Sequence, residues 1–254
     1  MARRPPDREV IPTVQKLRVR YAKRGRLRFA SHRDFQRAFE RALRRAGVPM
    51  AYSVGFSPHP KVSYAGAAAT GSASEAEYLE IAVTARLDPA AVGKALDAAL
   101  PAGLDVVEVV ESAGGSLADR LEASDWLIEL PGVSVEAATA AADRFLAADE
   151  VTVERLTKSG IRSFDARVAV VRLAVEESVA SSPRPGCAIL RVVVRHLTPA
   201  VRPDDVLSAL HAVAGLTPPT PPRVTRLAQG LLTDAMVTDP LVPDRTSGPD
   251  AVGL

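Results

Sequence analysis

The chain has few of the residues that build redox and metal centres. A single cysteine, Cys187, stands among 254 residues, which excludes an intramolecular disulfide and any multi-cysteine zinc or iron–sulfur site within it. No two of the histidines, His32, His59, His196 and His211, have metal-ligand spacing, so no metal is expected. No stretch approaches the roughly 18 consecutive apolar residues of a membrane span. The basic segment 1–12 lacks the apolar core of a signal peptide, and a cytoplasmic protein without membrane contact is expected. No Ser/His/Asp order, paired-carboxylate motif or phosphate-loop pattern is present; the turn Gly71-Ser72-Ala73-Ser74 resembles none. Aromatic residues make up only 4%, so the few that occur carry more information than usual.

Basic residues are plentiful and clustered. Of 32 lysines and arginines, 15 fall in the first 50 residues. Residues 1–61 hold 16 basic and 4 acidic side chains, a net of +12, whereas the remainder holds 16 basic and 26 acidic, a net of −10. A bias towards arginine (27 against 5 lysines) accounts for the choice of residue but not for its clustering. Such polarity points to an anionic partner, with RNA rather than DNA expected.

Periodicity and caps divide the chain into alternating strands and helices. Leu17, Val19 and Tyr21 alternate with Lys16, Arg18 and Arg20, the pattern of a half-buried strand with a basic outer face. Ser31 with Asp34 three residues on resembles a capping box with the shorter acid. The helix that follows buries Phe35, Ala38, Phe39, Ala42, Leu43 and Ala46, and stops at Gly47 before Pro49. An extended segment and loop over 50–65, a strand over 77–83, a helix opened by Asp88 and Pro89 and a strand over 105–110 complete a βαββαβ order. The second half repeats it: a strand over 126–130, a helix over 135–147, strands near 151–157, 165–175 and 188–196, a helix from Pro203 to Val213 and a strand over 224–232. One of those middle strands is left over, or is an arm of one long hairpin. The expected architecture is α+β: a flexible basic arm (1–13), a ferredoxin-like domain (14–111), a Gly/Ser/Ala-rich linker (112–123), a second ferredoxin-like domain (124–232) and a disordered tail (233–254).

Two features of the first domain suggest a site. Arg33, Arg37, Arg41 and Arg45 stand four apart with Arg44 beside the last, on the side of the helix opposite its apolar stripe. Like charges at that spacing repel, and a row of guanidinium groups suits bidentate contact with successive phosphates. Arg18, Arg20 and Arg28 precede it. The bland alternative is a solvated face. The loop Ser57-Pro58-His59-Pro60-Lys61 is the second feature. Pro58 and Pro60 stiffen the backbone around the imidazole, and Gly55 permits a positive φ. Tyr52, Phe56 and Tyr64 are candidates to stack bases, and His59 or His32 is a candidate general acid or base. His32 follows Ser31 at a helix start, where exposed N–H groups favour anions; if the loop folds over that end, Ser31, His32, His59 and Lys61 converge. The structural alternative is a rigid loop whose rings fill a core edge. His196 lies on the apolar face of its strand and reads as structural, His211 as solvated. Lys158 to Arg162 reads as a plain hairpin turn, with a second RNA contact as the alternative.

The segments Lys16-Leu-Arg-Val-Arg-Tyr21, Arg28-Phe-Ala-Ser-His-Arg33, Arg41-Ala-Leu-Arg-Arg-Ala-Gly-Val-Pro49, Tyr52-Ser-Val-Gly-Phe-Ser-Pro-His-Pro-Lys61 and Glu77-Tyr-Leu-Glu80 resemble an uncharacterised bacterial domain family associated with radical-SAM enzymes. Its members occur alone or fused behind a cobalamin-binding radical-SAM enzyme, and the resemblance covers roughly residues 14–200. It implies a partner carrying an iron–sulfur cluster, S-adenosylmethionine and cobalamin, with no cofactor in this chain. One cysteine cannot build the cluster site such chemistry needs, so this chain would be the accessory or substrate-binding subunit. The element order also resembles that of CRISPR repeat-processing endoribonucleases, an architectural likeness from which no catalytic residue is carried over. The leading expectation is an RNA-binding accessory protein acting in tRNA or rRNA modification. The alternatives are a metal-independent endoribonuclease and a protein-interaction module with a basic docking face.

Overall fold

Alternation and caps place the first elements where the pattern predicts them. Strand β1 (Gln15–Lys23) directs Leu17, Val19 and Tyr21 into an apolar core. A 3₁₀ turn (Gly25–Phe29) leads to helix α1 (His32–Arg45). Strands β2 (Val62–Ala65) and β3 (Ala73–Val83), helix α2 (Pro89–Ala99) and strand β4 (Leu104–Glu111) follow. These assignments come from a computed structural model that describes residues 11–158, 160–176 and 187–246. The expected basic arm lies largely outside the described residues. The chain is a mixed α+β protein with five α-helices among the described residues. It divides into two units: one built from the segment up to Asp119 together with that from Pro240, the other from Arg120–Asp239.

In unit 1, β1 lies between β4 and β3, β2 takes the other edge of β3, and every pair is antiparallel. The helices cover one face. Phe35, Phe39, Ala42 and Leu43 of α1 and Val92 and Leu96 of α2 meet Leu17, Val19, Leu79, Ile81 and Val83 of the strands. Phe35 stacks on Tyr21 with ring centroids 4.4 Å apart. Burying a side chain such as the fully enclosed Phe39 contributes about 1.5–3 kcal/mol.

Unit 2 runs β5 (Ala123–Pro131), α3 (Val135–Ala147), β6 (Thr152–Thr157), β7 (Gly160–Asp165), β8 (Val170–Glu176), β9 (Cys187–Arg195), α4 (Pro203–Ala214), β10 (Arg223–Thr233) and β11 (Met236–Thr238). Here β5 lies between β10 and β9, β8 takes the outer edge of β9, and β11 pairs with β10. The surplus strand resolves into the separate hairpin β6–β7. It is tied down by Arg155, which reaches Asp205 at 3.3 Å and the Ala200 carbonyl at 2.8 Å.

The expected disordered tail is corrected. Residues 233–246 are structured: after β11, helix α5 (Val242–Thr246) belongs to unit 1. Only residues 247–254 of the expected tail remain, and they lie outside the described residues. The expected linker segment carries structure of its own. The Ser112 amide donates to the Lys16 carbonyl at 2.9 Å, Leu117 and Leu121 are buried, and β5 begins at Ala123.

The outer face of β1 is the larger correction, because α5 and the start of the linker occupy it. Arg18 is fully buried. Its guanidinium donates to both Asp244 oxygens at 2.8 and 2.9 Å, to Glu80 at 3.1 Å and to the carbonyls of Gly114 and Gly115 at 2.9 and 2.7 Å. Arg245 pairs with Glu108 beside it. A charge fully withdrawn from water needs such complete pairing, since isolated burial is prohibitive.

Candidate functional site

Most of the basic residues around β1 are engaged within unit 1. Arg18 is enclosed and cannot meet an external phosphate. Arg20, half-buried, donates to the Glu75 carbonyl at 3.0 Å. Buried Lys23 reaches the Ala68 and Ala69 carbonyls, and Arg24 bridges Glu75 and Asp105. Arg28 is half-buried with its guanidinium over the Phe29 ring, 4.7 Å from the centroid.

The helical ridge is different. Arg33, Arg37, Arg41, Arg44 and Arg45 are all exposed. Among the described residues none of them forms an ion pair or a side-chain hydrogen bond. The helix beneath is held by its apolar face and its cap. The Ser31 hydroxyl accepts from the Asp34 amide at 3.2 Å and donates to the Asp34 carboxylate at 2.6 Å. That bond, reinforced by the charges of Arg37 and Arg33, holds the Asp34 carboxyl below the usual carboxylate range. At the other end Gly47 takes φ 65°, the left-handed conformation that glycine adopts freely. Ser31 therefore acts as a cap, with its hydroxyl committed to Asp34.

The two loop-associated groups part company. His32 lies 3.0 Å from the Gln36 amide nitrogen and edge-on to Tyr64, with centroids 5.0 Å apart. Tyr64 also meets Phe35 and packs against the core, and burial, with Glu40 adding, pushes its phenol above its ordinary value. Tyr64 is thus part of the helix-side packing rather than an open stacking platform.

His59 lines an open cavity of about 440 Å³ with Thr13, Lys16, Ser53, Lys61, Ser63 and Glu80. Successive strand side chains alternate between faces, so Ser63 and its register partner Glu80 point away from the face that holds Tyr64 and Leu79. No hydrogen bond or ring contact joins His32 to His59 among the described residues. The convergence of Ser31 and His32 with His59 and Lys61 does not occur: His32 meets Tyr64 on one face of β2, whereas His59 and Lys61 line the cavity with Ser63 on the other, and neither Ser31 nor His32 lines it.

Ser53 organises the 52–61 loop. Its hydroxyl accepts from the His59 amide at 3.1 Å and lies 3.1 Å from His59 Nδ1, while its own amide donates to the His59 carbonyl at 2.9 Å. The Ser57 carbonyl is 3.2 Å from the same Nδ1. Tyr52 and Pro60 form a bridge across the neck, and Lys61 donates its amide to the Ala51 carbonyl at 2.8 Å. Gly55 sits at φ 145°, while Tyr52, Val54 and Phe56 are exposed around the tip. Pro58 and Pro60 are half-buried and Lys61 is exposed.

Sequence reasoning missed Ser53, Ser63, Glu80 and Asp244. Alternation placed Glu80 on the same face as Arg18, and that signal was available. Asp244 had none, since it lies 226 residues from the arginine it neutralises.

In unit 2, His196 is structural. Its Nδ1 lies 2.7 Å from the Leu121 carbonyl and its Nε2 2.8 Å from the Ser124 hydroxyl, and desolvation holds its pKa below the ordinary value. His211 is exposed, with Nδ1 3.0 Å from the Thr217 hydroxyl. Among the described residues no group of three or more His, Cys, Asp or Glu is placed to hold a metal ion, and no helix is long and apolar enough to cross a membrane.

A bacterial family whose description reads "uncharacterized protein conserved in bacteria (DUF2344)" matches residues 16–203. No curated protein matches the chain.

Proposed function

The chain belongs to this conserved bacterial family, and from that premise we propose that it is an RNA-binding accessory protein acting beside a radical-SAM partner in the modification of tRNA or ribosomal RNA in the cytoplasm. One observation carries the RNA reading. Unit 1 engages Arg18, Arg20, Lys23 and Arg24 internally, yet leaves Arg33, Arg37, Arg41, Arg44 and Arg45 exposed along one side of α1. Maintaining like charges four residues apart opposes helix stability, and planar guanidinium groups in a row match successive phosphates. The partner is inferred from the resemblance of the quoted motifs; a chain whose only cysteine is the buried Cys187 would leave the iron–sulfur chemistry to that partner.

We further read each unit as ferredoxin-like. The support is the strand sequence β4-β1-β3-β2 in one and β10-β5-β9-β8 in the other, each with two helices on connections of the split βαβ kind.

The test is the salt dependence of binding to unmodified tRNA. If α1 holds phosphates, log affinity falls linearly with log salt concentration. Replacing Arg37 and Arg41 with alanine should reduce the magnitude of that slope by about 2 and weaken binding to all sequences alike. An affinity that the double substitution leaves unchanged would falsify the assignment of the ridge.

A further inference from the structure

The cavity beside His59 lies on the face of β2 and β3 remote from the core-facing side of α1, and the chemistry of its wall differs from that of the ridge. Its floor is built by strands: Lys16 from β1, Ser63 from β2 and Glu80 from β3. Its wall is the 52–61 loop, fixed by the Ser53–His59 bonds and by the backbone bond of Lys61 to Ala51. The loop backbone is thus fixed before any ligand binds, which lowers the ordering cost of the wall.

The local charge is positive. Of the residues that line it, Lys16 and Lys61 are cationic and Glu80 alone is anionic, leaving one cation in excess. Asp244 is spent on Arg18. Glu80 is covered by Arg18 and by Lys16, whose ammonium lies 2.9 Å from it. Glu80 therefore positions Lys16 at the cavity, and Lys61 remains the uncompensated charge. The Lys61 ammonium and the hydroxyls of Ser63 and Thr13 have no partner among the described residues. In His59, Nδ1 faces Ser57 and Ser53. Nε2 is the ring's other polar atom.

We infer that this cavity binds a phosphate monoester, with Lys61, Lys16 and Ser63 holding the phosphate and His59 forming the wall beside it. A monoester carries about −1.5 to −2 charge near neutral pH and three acceptor oxygens, which matches a cavity lined by lysine, serine and threonine side chains. A volume of about 440 Å³ lies within the range of small-molecule sites. A terminal group can enter such a recess from one side, whereas a diester within a strand must pass through it. The monoester has two sources, a free phosphorylated metabolite or the 5′ end of an RNA. The site is separate from the arginine ridge and does not depend on it.

The test titrates the full chain by calorimetry with inorganic phosphate, AMP, a 5′-phosphorylated hexaribonucleotide and its 5′-hydroxyl counterpart. We expect saturable binding of AMP, or tighter binding of the phosphorylated oligonucleotide than of the hydroxyl one. Lys61→Ala and Ser63→Ala should each reduce that binding or preference about tenfold with the circular-dichroism melt unchanged. AMP binding identifies a metabolite site, and a preference confined to the oligonucleotides identifies an RNA end. Arg37→Ala/Arg41→Ala should weaken both oligonucleotides equally and leave AMP unaffected, so failure of the ridge and failure of the cavity give different results. The inference is overturned if neither phosphate nor AMP saturates below about 10 mM while both oligonucleotides bind alike. It is equally overturned if binding survives both cavity substitutions unchanged.

Discussion

Arg18 and Arg37 carry the same guanidinium and meet opposite fates. Asp244, Glu80 and two glycine carbonyls withdraw Arg18 from water, whereas Arg37 stands exposed on α1. Local pattern states which way each side chain points, because a strand alternates and a helix turns through 3.6 residues. It does not state what covers the face. His196 was more legible, since its place beside an apolar strand face marked it as structural. The same setting has a pH consequence. Desolvation lowers its folded pKa, with Arg226 adding and the Leu121 bond opposing, from an unfolded value near 6.5. Below about pH 6.5 the unfolded chain therefore binds the proton more readily, and stability rises with pH across that window. We expect the urea midpoint to fall between about pH 7.5 and pH 5.5, and His196→Gln to flatten that slope. An unaltered slope would remove His196 as the cause.

Elements whose ends are chemically marked were read well. Ser31 and Asp34 begin α1 and Gly47 ends it, so the helix depends on its cap as well as on Phe35, Phe39 and Leu43. Ser31→Ala should destabilise the protein by about 1 kcal/mol in chemical denaturation, and Ser31→Thr should restore most of the loss. Equal stability of the alanine variant would show that the row of arginines does not need the cap. The segment after α3 was less legible. The polar turn around residues 157–160 and an alternation in which Leu156 and Ile161 are exposed are compatible with one long strand or with two arms. The pairing of β6 with β7 makes them two arms, and Arg155 ties the hairpin to Asp205 and Ala200, contacts that local periodicity does not report.

At the scale of the whole molecule, unit 1 is discontinuous in sequence, and its C-terminal piece neutralises its most deeply buried charge. Asp244→Ala leaves the Arg18 charge short of a partner and should cost about 3–5 kcal/mol, measured as a shift in urea unfolding. Arg18→Met combined with Asp244→Leu should recover most of that stability, because an apolar pair carries no desolvation penalty. A loss below about 1 kcal/mol for Asp244→Ala would show that water reaches Arg18 in solution. By itself the sequence determined the four longer helices, the caps, the apolar faces and the clustering of arginine, all of which follow from interactions within a few residues. Only the tertiary structure decided which of those arginines remain exposed, that His32 and His59 stand on opposite faces, and that a cavity opens beside His59. Those outcomes depend on contacts between segments as far apart as residues 18 and 244, and no local pattern encodes what will cover a face.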